Sequence, residues 1–215
     1  MPSNDPKNIL GKTMTLAGSG DIDAQLNLGL MYERGEGVQR DYNKAMEWYK
    51  KAEEQGSSDA QVSMGMMYVY GLGVQKDEAE AVKWFRKAAE QGNPHAQNNL
   101  GTMYTEGSGV QQDETEAVKW YREAAEQDDV CAQTALGWKY HSGLGVQKDD
   151  AEAVKWYRKA AEQGNVNALF NLGVMYANGW GVPQDDDEAV MWYRKAVEKG
   201  DGPAMEALRS RGLWR

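Results

Sequence analysis

Cysteine is almost missing from the chain. Cys131 is the only one in 215 residues, so no disulfide can form within the chain, which fits a reducing compartment. Histidine is nearly as scarce. His95 and His141 are the only two, and any nucleophile–imidazole pair must use one of them. Long apolar runs are absent too: none approaches the ~20 residues needed to cross a bilayer. Met1 to Asn8 lacks the basic-then-apolar layout of a signal peptide, so a cytoplasmic protein with no membrane insertion is expected. Positive charge is in deficit. The net charge of −9 disfavours nucleic acid and anionic membranes, which reward clustered Lys and Arg.

What the chain does have is a period. Trp48, Trp84, Trp120, Trp156 and Trp192 recur every 36 residues, a spacing that signals stacked copies of one supersecondary unit. Leu28, Met64, Leu100, Leu136 and Leu172 each precede a glycine, with a tyrosine three residues after that glycine, from Tyr32 to Tyr176. A Gly-x-Gly-Val turn and an aspartate follow in every copy, then an Ala-x-x-Trp-aromatic-x-x-Ala segment. A solenoid buries its core locally between neighbours, so counting domains by length does not apply.

Each copy reads as two helices. Asp21, Ser57, Asn93, Asp129, Asn165 and Asp201 occupy the N-cap column of the first, and Asp41, Asp77, Asp113, Asp149 and Asp185 that of the second. Glu80, Glu116, Glu152 and Glu188 lie three residues further on, as in a capping box. Gly35 and its equivalents suit the end of the first helix, and Gly56, Gly92, Gly164 and Gly200 the end of the second. Asp128 interrupts that last column and predicts a less comfortable turn. At 100° per residue Ala24, Leu28, Met31 and Tyr32 share one arc, the core stripe of the first helix. Lys83, Arg86, Lys87, Lys119 and Arg122 lie beside Glu78, Glu80, Glu90 and Glu116 and read as a solvated helix face.

The Ala24-Gln25, Leu28-Gly29-x-Met31-Tyr32, Gly35-x-Gly37-Val38, Asp41, Ala45, Trp48-Tyr49 and Lys51-Ala52 pattern resembles the Sel-one-like repeat, a relative of the tetratricopeptide repeat. The resemblance covers about residues 20 to 211, with local departures at Lys139 for methionine and Leu169 for glutamine. It implies an all-α, right-handed α/α superhelical solenoid read as one continuous domain. Its parts are an N-terminal capping helix in 1–19, repeats at 20–55, 56–91, 92–127, 128–163 and 164–199, and a capping helix in 200–215. Bacterial members are often exported, so a periplasmic or secreted location is expected if a signal has been removed.

The variable columns, headed by Asp23, Leu26, Leu30, Glu33 and Arg34, point away from the core stripe. In tetratricopeptide-like solenoids that face lines a concave groove, so the resemblance implies a surface there for another protein or an extended peptide. Its candidate residues are Asp59, Val62, Met66, Val69 and Tyr70; His95, Asn98, Thr102, Thr105 and Glu106; Cys131, Thr134, Trp138, His141 and Ser142; and Asn167, Phe170, Val174, Ala177 and Asn178. Tyr70, Trp138 and Phe170 are the aromatics of this face, the residue type that often dominates interfaces. Of the remaining aromatics, Trp214 is assigned to the C-terminal cap, Tyr42 to a helix start, and Trp180 to a loop where it can cover the neighbouring repeat.

Signals for chemistry are thin. Cys131 and His141 are ten residues apart, about three helical turns, and cannot meet on one straight helix. A zinc site from His95 and Cys131 lacks two further ligands. Asp185-Asp186-Asp187 reads as a helix start and Gly-x-Gly-Val as a turn. No catalytic residue, metal or cofactor is expected. The reading is a monomeric, non-enzymatic binder of another protein, with a narrower version in which it inhibits or neutralises that partner as an immunity protein or regulator. The alternative is an enzyme that binds or hydrolyses β-lactams, as linked to cysteine-rich relatives; those staple each repeat with a cysteine pair, which this chain lacks. A third reading, a consensus-like array with no evolved partner, is raised by the near identity of 74–93 with 146–165.

Overall fold

The computed structural model describes residues 6–212, with side chains from Ile9 onward; residues 1–5 of the expected N-terminal cap, and Trp214, assigned above to the C-terminal cap, lie outside the described residues. Twelve helices fill them, and no strand occurs among them. In chain order these are α1 (Pro6–Gly18), α2 (Ile22–Arg34), α3 (Tyr42–Glu54), α4 (Ser58–Tyr70), α5 (Glu78–Glu90) and α6 (Pro94–Glu106). Then follow α7 (Glu114–Glu126), α8 (Val130–Ser142), α9 (Asp150–Glu162), α10 (Val166–Asn178), α11 (Asp186–Glu198) and α12 (Gly202–Ser210). The packing forms two compact units, Met1–Gln112 and Asp113–Arg215. Within each, consecutive helices pack on one another.

Capping sets where the helices start. Asp21 Oδ1 accepts from the Ala24 N–H at 2.8 Å, Asn93 from Ala96 at 3.1 Å and Asp129 from Ala132 at 2.8 Å. Asp41, Asp77, Asp113, Asp149 and Asp185 cap the alternate helices in the same way. The backbone N–H of Lys44 holds the Asp41 carboxyl below the usual carboxylate range. The glutamates three residues on do not close capping boxes. Glu80, Glu116 and Glu152 instead pair with Lys83, Lys119 and Lys155 one turn later, at 2.7, 2.6 and 2.5 Å. An ammonium at i+3 draws the carboxylate away from the cap.

Left-handed residues set where the helices end. Gly71 closes α4 at φ 67°, and equivalent glycines close α2, α6, α8 and α10. Asp128 adopts φ 64° after α7, the one non-glycine with positive φ among the described residues. Its carboxylate accepts from Gln133 Nε2 at 3.3 Å.

The buried stripe is as read, with Ala24, Leu28 and Tyr32 inside, although Met31 is half-buried. The aromatic after each periodic tryptophan is deeper than the tryptophan itself. Tyr49, Phe85, Tyr121, Tyr157 and Tyr193 are buried, whereas Trp48, Trp84, Trp120 and Trp156 are only half-buried. Trp192 belongs to the buried core of the second unit and Trp48 and Trp84 pack against that of the first from outside, while Lys51, Lys87, Lys159 and Lys195 place their ammonium groups over the rings of Trp48, Trp84, Trp156 and Trp192. A buried glutamine column stitches neighbouring helices. Gln25 Nε2 donates to the Ala17 carbonyl at 3.2 Å, and its Oε1 accepts from Gln55 at 2.8 Å. Gln133 repeats the pattern with Ala125 and Gln163. Arg86, Arg122 and Arg158 donate to the hydroxyls of Tyr104, Tyr140 and Tyr176.

Candidate functional site

The columns headed by Asp23 and Arg34 lie at the surface, and those headed by Leu26, Leu30 and Glu33 are mostly half-buried. In the first unit α2, α4 and α6 carry this face. Tyr70, the last residue of α4, is 65% exposed. Val62, Met66, Val69, Asn98, Thr102 and Thr105 are half-buried, and Asp59, His95 and Glu106 are exposed. Asp59 accepts from Asn93 Nδ2 at 2.7 Å, which ties α4 to the start of α6.

In the second unit α8 and α10 carry the corresponding residues. Trp138 is 44% exposed, and Cys131, Ser142, Asn167 and Asn178 are also exposed. Thr134 and Val174 are half-buried, Ala177 is buried, and Phe170 is half-buried with its ring 5.8 Å from that of Tyr193. Trp138 and Tyr70 thus stand out as large apolar groups on this face that solvent reaches, an arrangement packing does not require.

Repeat four departs most from the pattern, and its departures interact. Lys139 takes the methionine position and is buried, yet its ammonium group is satisfied by the Glu114 carboxylate and lies 5.0 Å from the Trp138 ring. His141 Nδ1 lies 2.6 Å from Asp150, and its ring is 4.9 Å from Trp180. Trp180 therefore covers the preceding repeat while staying 40% exposed. The sequence marks Lys139 as a departure from its column and His141 as a candidate of the variable face, but gives no sign of their partners. Glu114 and Asp150 both open second helices, and the glycine loop that follows each first helix rests on such a start: a Cβ on Gly145 would collide with the Glu114 carbonyl, and one on Gly181 with that of Asp150.

The arrangement offers little for bond chemistry. Ser142 Oγ donates to the Trp138 carbonyl at 2.8 Å rather than to His141. Partial desolvation, although the residue is exposed, and the nearby Asp129 raise the Cys131 thiol above its ordinary value. No group of three His, Cys, Asp or Glu side chains able to hold a metal converges among the described residues. No helix of the described residues is long and apolar enough to cross a membrane. Two open cavities lie along the second helices. One of about 420 Å³ is lined by Val82, Lys83, Arg86 and Lys87, and one of about 540 Å³ by Leu169, Trp192, Lys195 and Lys199. Neither lining holds a serine, cysteine or histidine.

A family model described as the Sel1 repeat matches residues 22–57, 58–93, 94–129, 132–165 and 166–201. Among solved structures, the chain is similar to a protective antigen of uropathogenic Escherichia coli strains displaying an SLR fold. The TM-score is 0.89 at 40% identity, over 98% of this chain and 46% of that one. The chain thus spans under half the length of that antigen. A Sel1 repeat protein from Oxalobacter formigenes superposes with a TM-score of 0.84 at 39% identity, over 94% of this chain and 83% of that one. An immunity protein from Pseudomonas aeruginosa shares the fold at a TM-score of 0.62 and 22% identity, over 94% and 78% of the two chains. No curated protein is similar enough in sequence to count as a match.

Proposed function

Because the chain belongs to the Sel1 repeat family, whose members are protein-interaction scaffolds, we propose that it binds another protein through the outward faces of its first helices and catalyses no reaction. The observation that carries the reading is the exposure of Tyr70 and Trp138 at positions where the repeat pattern leaves residue choice free. Rigid aromatics bury large area at low entropic cost, so they are effective anchors at an interface. The second helices are occupied otherwise, their lysines engaged by glutamates and by tryptophan rings. The narrower version, in which the partner is neutralised, would suit an immunity protein, which is how the Pseudomonas aeruginosa protein is described. At 22% identity that likeness carries the fold alone, so the proposal stops at binding.

Site-specific photocrosslinking tests it. A photoreactive amino acid at Tyr70 or Thr134 is expected to capture a partner from the native source, and the same group at Lys87 is not. Capture from Lys87 alone would move the binding surface to the second helices.

A further inference from the structure

Charge is segregated between the two helix types of the first unit. Its lysines sit on α1, α3, α5 and the loops, whereas α2, α4 and α6 together hold one Lys or Arg, Arg34. That guanidinium is paired with Glu36 at 3.7 Å. The same three helices carry Asp23, Glu33, Asp59 and Glu106 on the outward face. Carboxylates of the second helices meet cations, as in Glu53 with Lys87, Glu78 with Lys76 and Glu80 with Lys83. Those of the outward face meet neutral groups instead: Asp59 takes Asn93 Nδ2, and Glu33 takes the Tyr49 hydroxyl at 2.5 Å.

Folding accounts for half of this pattern. Asp23 and Asp59 lie in the first turns of α2 and α4, where a negative charge complements the helix dipole. Glu33 and Glu106 lie in the last turns of α2 and α6, where the same dipole disfavours them. Between these two acidic rims run half-buried apolar side chains such as Leu30 and Met66, and Tyr70 stands exposed beside them. An apolar strip edged by uncompensated carboxylates complements a chain that is apolar on one side and cationic on the other. A divalent cation fits less well, since no three carboxylates converge among the described residues.

Resting on the reading that first helices carry the partner surface, we infer that the α2–α4–α6 face of the first unit accepts a basic, amphipathic segment of a protein partner. Tyr70 is its aromatic contact, and Asp23, Asp59 and Glu106 are its counter-charges.

Selection of random dodecamer peptides displayed on phage, with the intact chain as bait, tests this directly. The enriched peptides should be rich in Lys and Arg with interspersed aliphatic or aromatic residues. They should bind roughly tenfold more weakly to the Asp23→Asn, Asp59→Asn, Glu106→Gln variant, and equally well to a Glu54→Gln, Glu90→Gln control on the second helices. Thermal melts establish that the variants are folded, and Glu106→Gln alone, at an exposed helix end, keeps the test open if the triple variant is not. Neutral or acidic winners, no enrichment, or equal binding to both variants would overturn the inference. Photocrosslinking separates this failure from that of the broader reading: a partner captured at Tyr70 through an acidic or neutral segment sinks the basic ligand alone, whereas capture only from Lys87 sinks both.

Discussion

The ring of Phe85 occupies the space that a side chain on Gly65 would need. A Cβ on that glycine would lie 2.6 Å from Phe85 Cε1. Tyr157 stands in the same relation to Gly137, and Tyr193 to Gly173. The glycine of the Leu-Gly column is therefore set by close approach of the two helices in one repeat, since its φ lies in the ordinary helical range. Gly65→Ala should cost about 2 kcal/mol or more, because the buried ring has no room to yield. Urea unfolding that left the midpoint unchanged would show that the helices can part without penalty.

Asp128 offers the opposite case. Its φ of 64° is a conformation that glycine adopts freely and aspartate does not. Asp128→Gly gives up the contact with Gln133 but should still stabilise by about 1 kcal/mol, raising the melting temperature by a few degrees. A lower melting temperature would mean that the Gln133 bond outweighs the strain.

Alkaline pH should weaken the fold in a traceable way. Burial, aided by the neighbouring Glu33 carboxylate, pushes the Tyr49 hydroxyl well above its ordinary value of 10.0; burial likewise pushes Tyr157 well up and raises Tyr193. Below pH ~10 these tyrosines are neutral in both states. Above it the unfolded chain releases protons that the folded chain retains, so stability falls as pH rises. Tyr49→Phe should show a shallower decline between pH 9 and 11 in thermal melts. Parallel pH profiles would argue that Tyr49 ionises without hindrance in the folded state.

The Lys139–Glu114 pair can be dissected by replacing each partner. Lys139→Met restores the residue of its column, where Met67 and Met175 are buried, and leaves Glu114 with 26% of its side chain exposed. Stability should hold or rise, as is common when a buried ion is replaced by an apolar group. Glu114→Gln strands a buried ammonium and should cost about 3 kcal/mol. A marked loss for Lys139→Met would show that the pair contributes net stability.

The fold was legible because each repeat states the same requirement five times. An aspartate, serine or asparagine ahead of an apolar stripe can be read as a cap from residue type alone, and every such position is one. What escaped depends on contacts between columns. Trp84 and Tyr49 look alike as periodic aromatics, yet one lies beneath a lysine and the other against a glycine backbone. Phe170 and Tyr70 look alike as aromatics of the variable columns, yet Phe170 leans on Tyr193 while Tyr70 faces solvent. Periodicity fixes the direction in which a side chain leaves its helix. It does not fix what another helix places there, which is also why Glu114 and Asp150 gave no sign of their roles.

The central claim is that the outward faces of the first helices bind protein, and Trp138 tests it most directly. Titration calorimetry of the photocaptured partner against the parent chain and Trp138→Ala, with melts of both proteins, separates anchor from scaffold. The account predicts binding weakened by roughly 2 kcal/mol, about thirtyfold, with stability changed by less than about 1 kcal/mol. A Trp138→Ala protein that binds as the parent does, but melts far below it, would contradict the account.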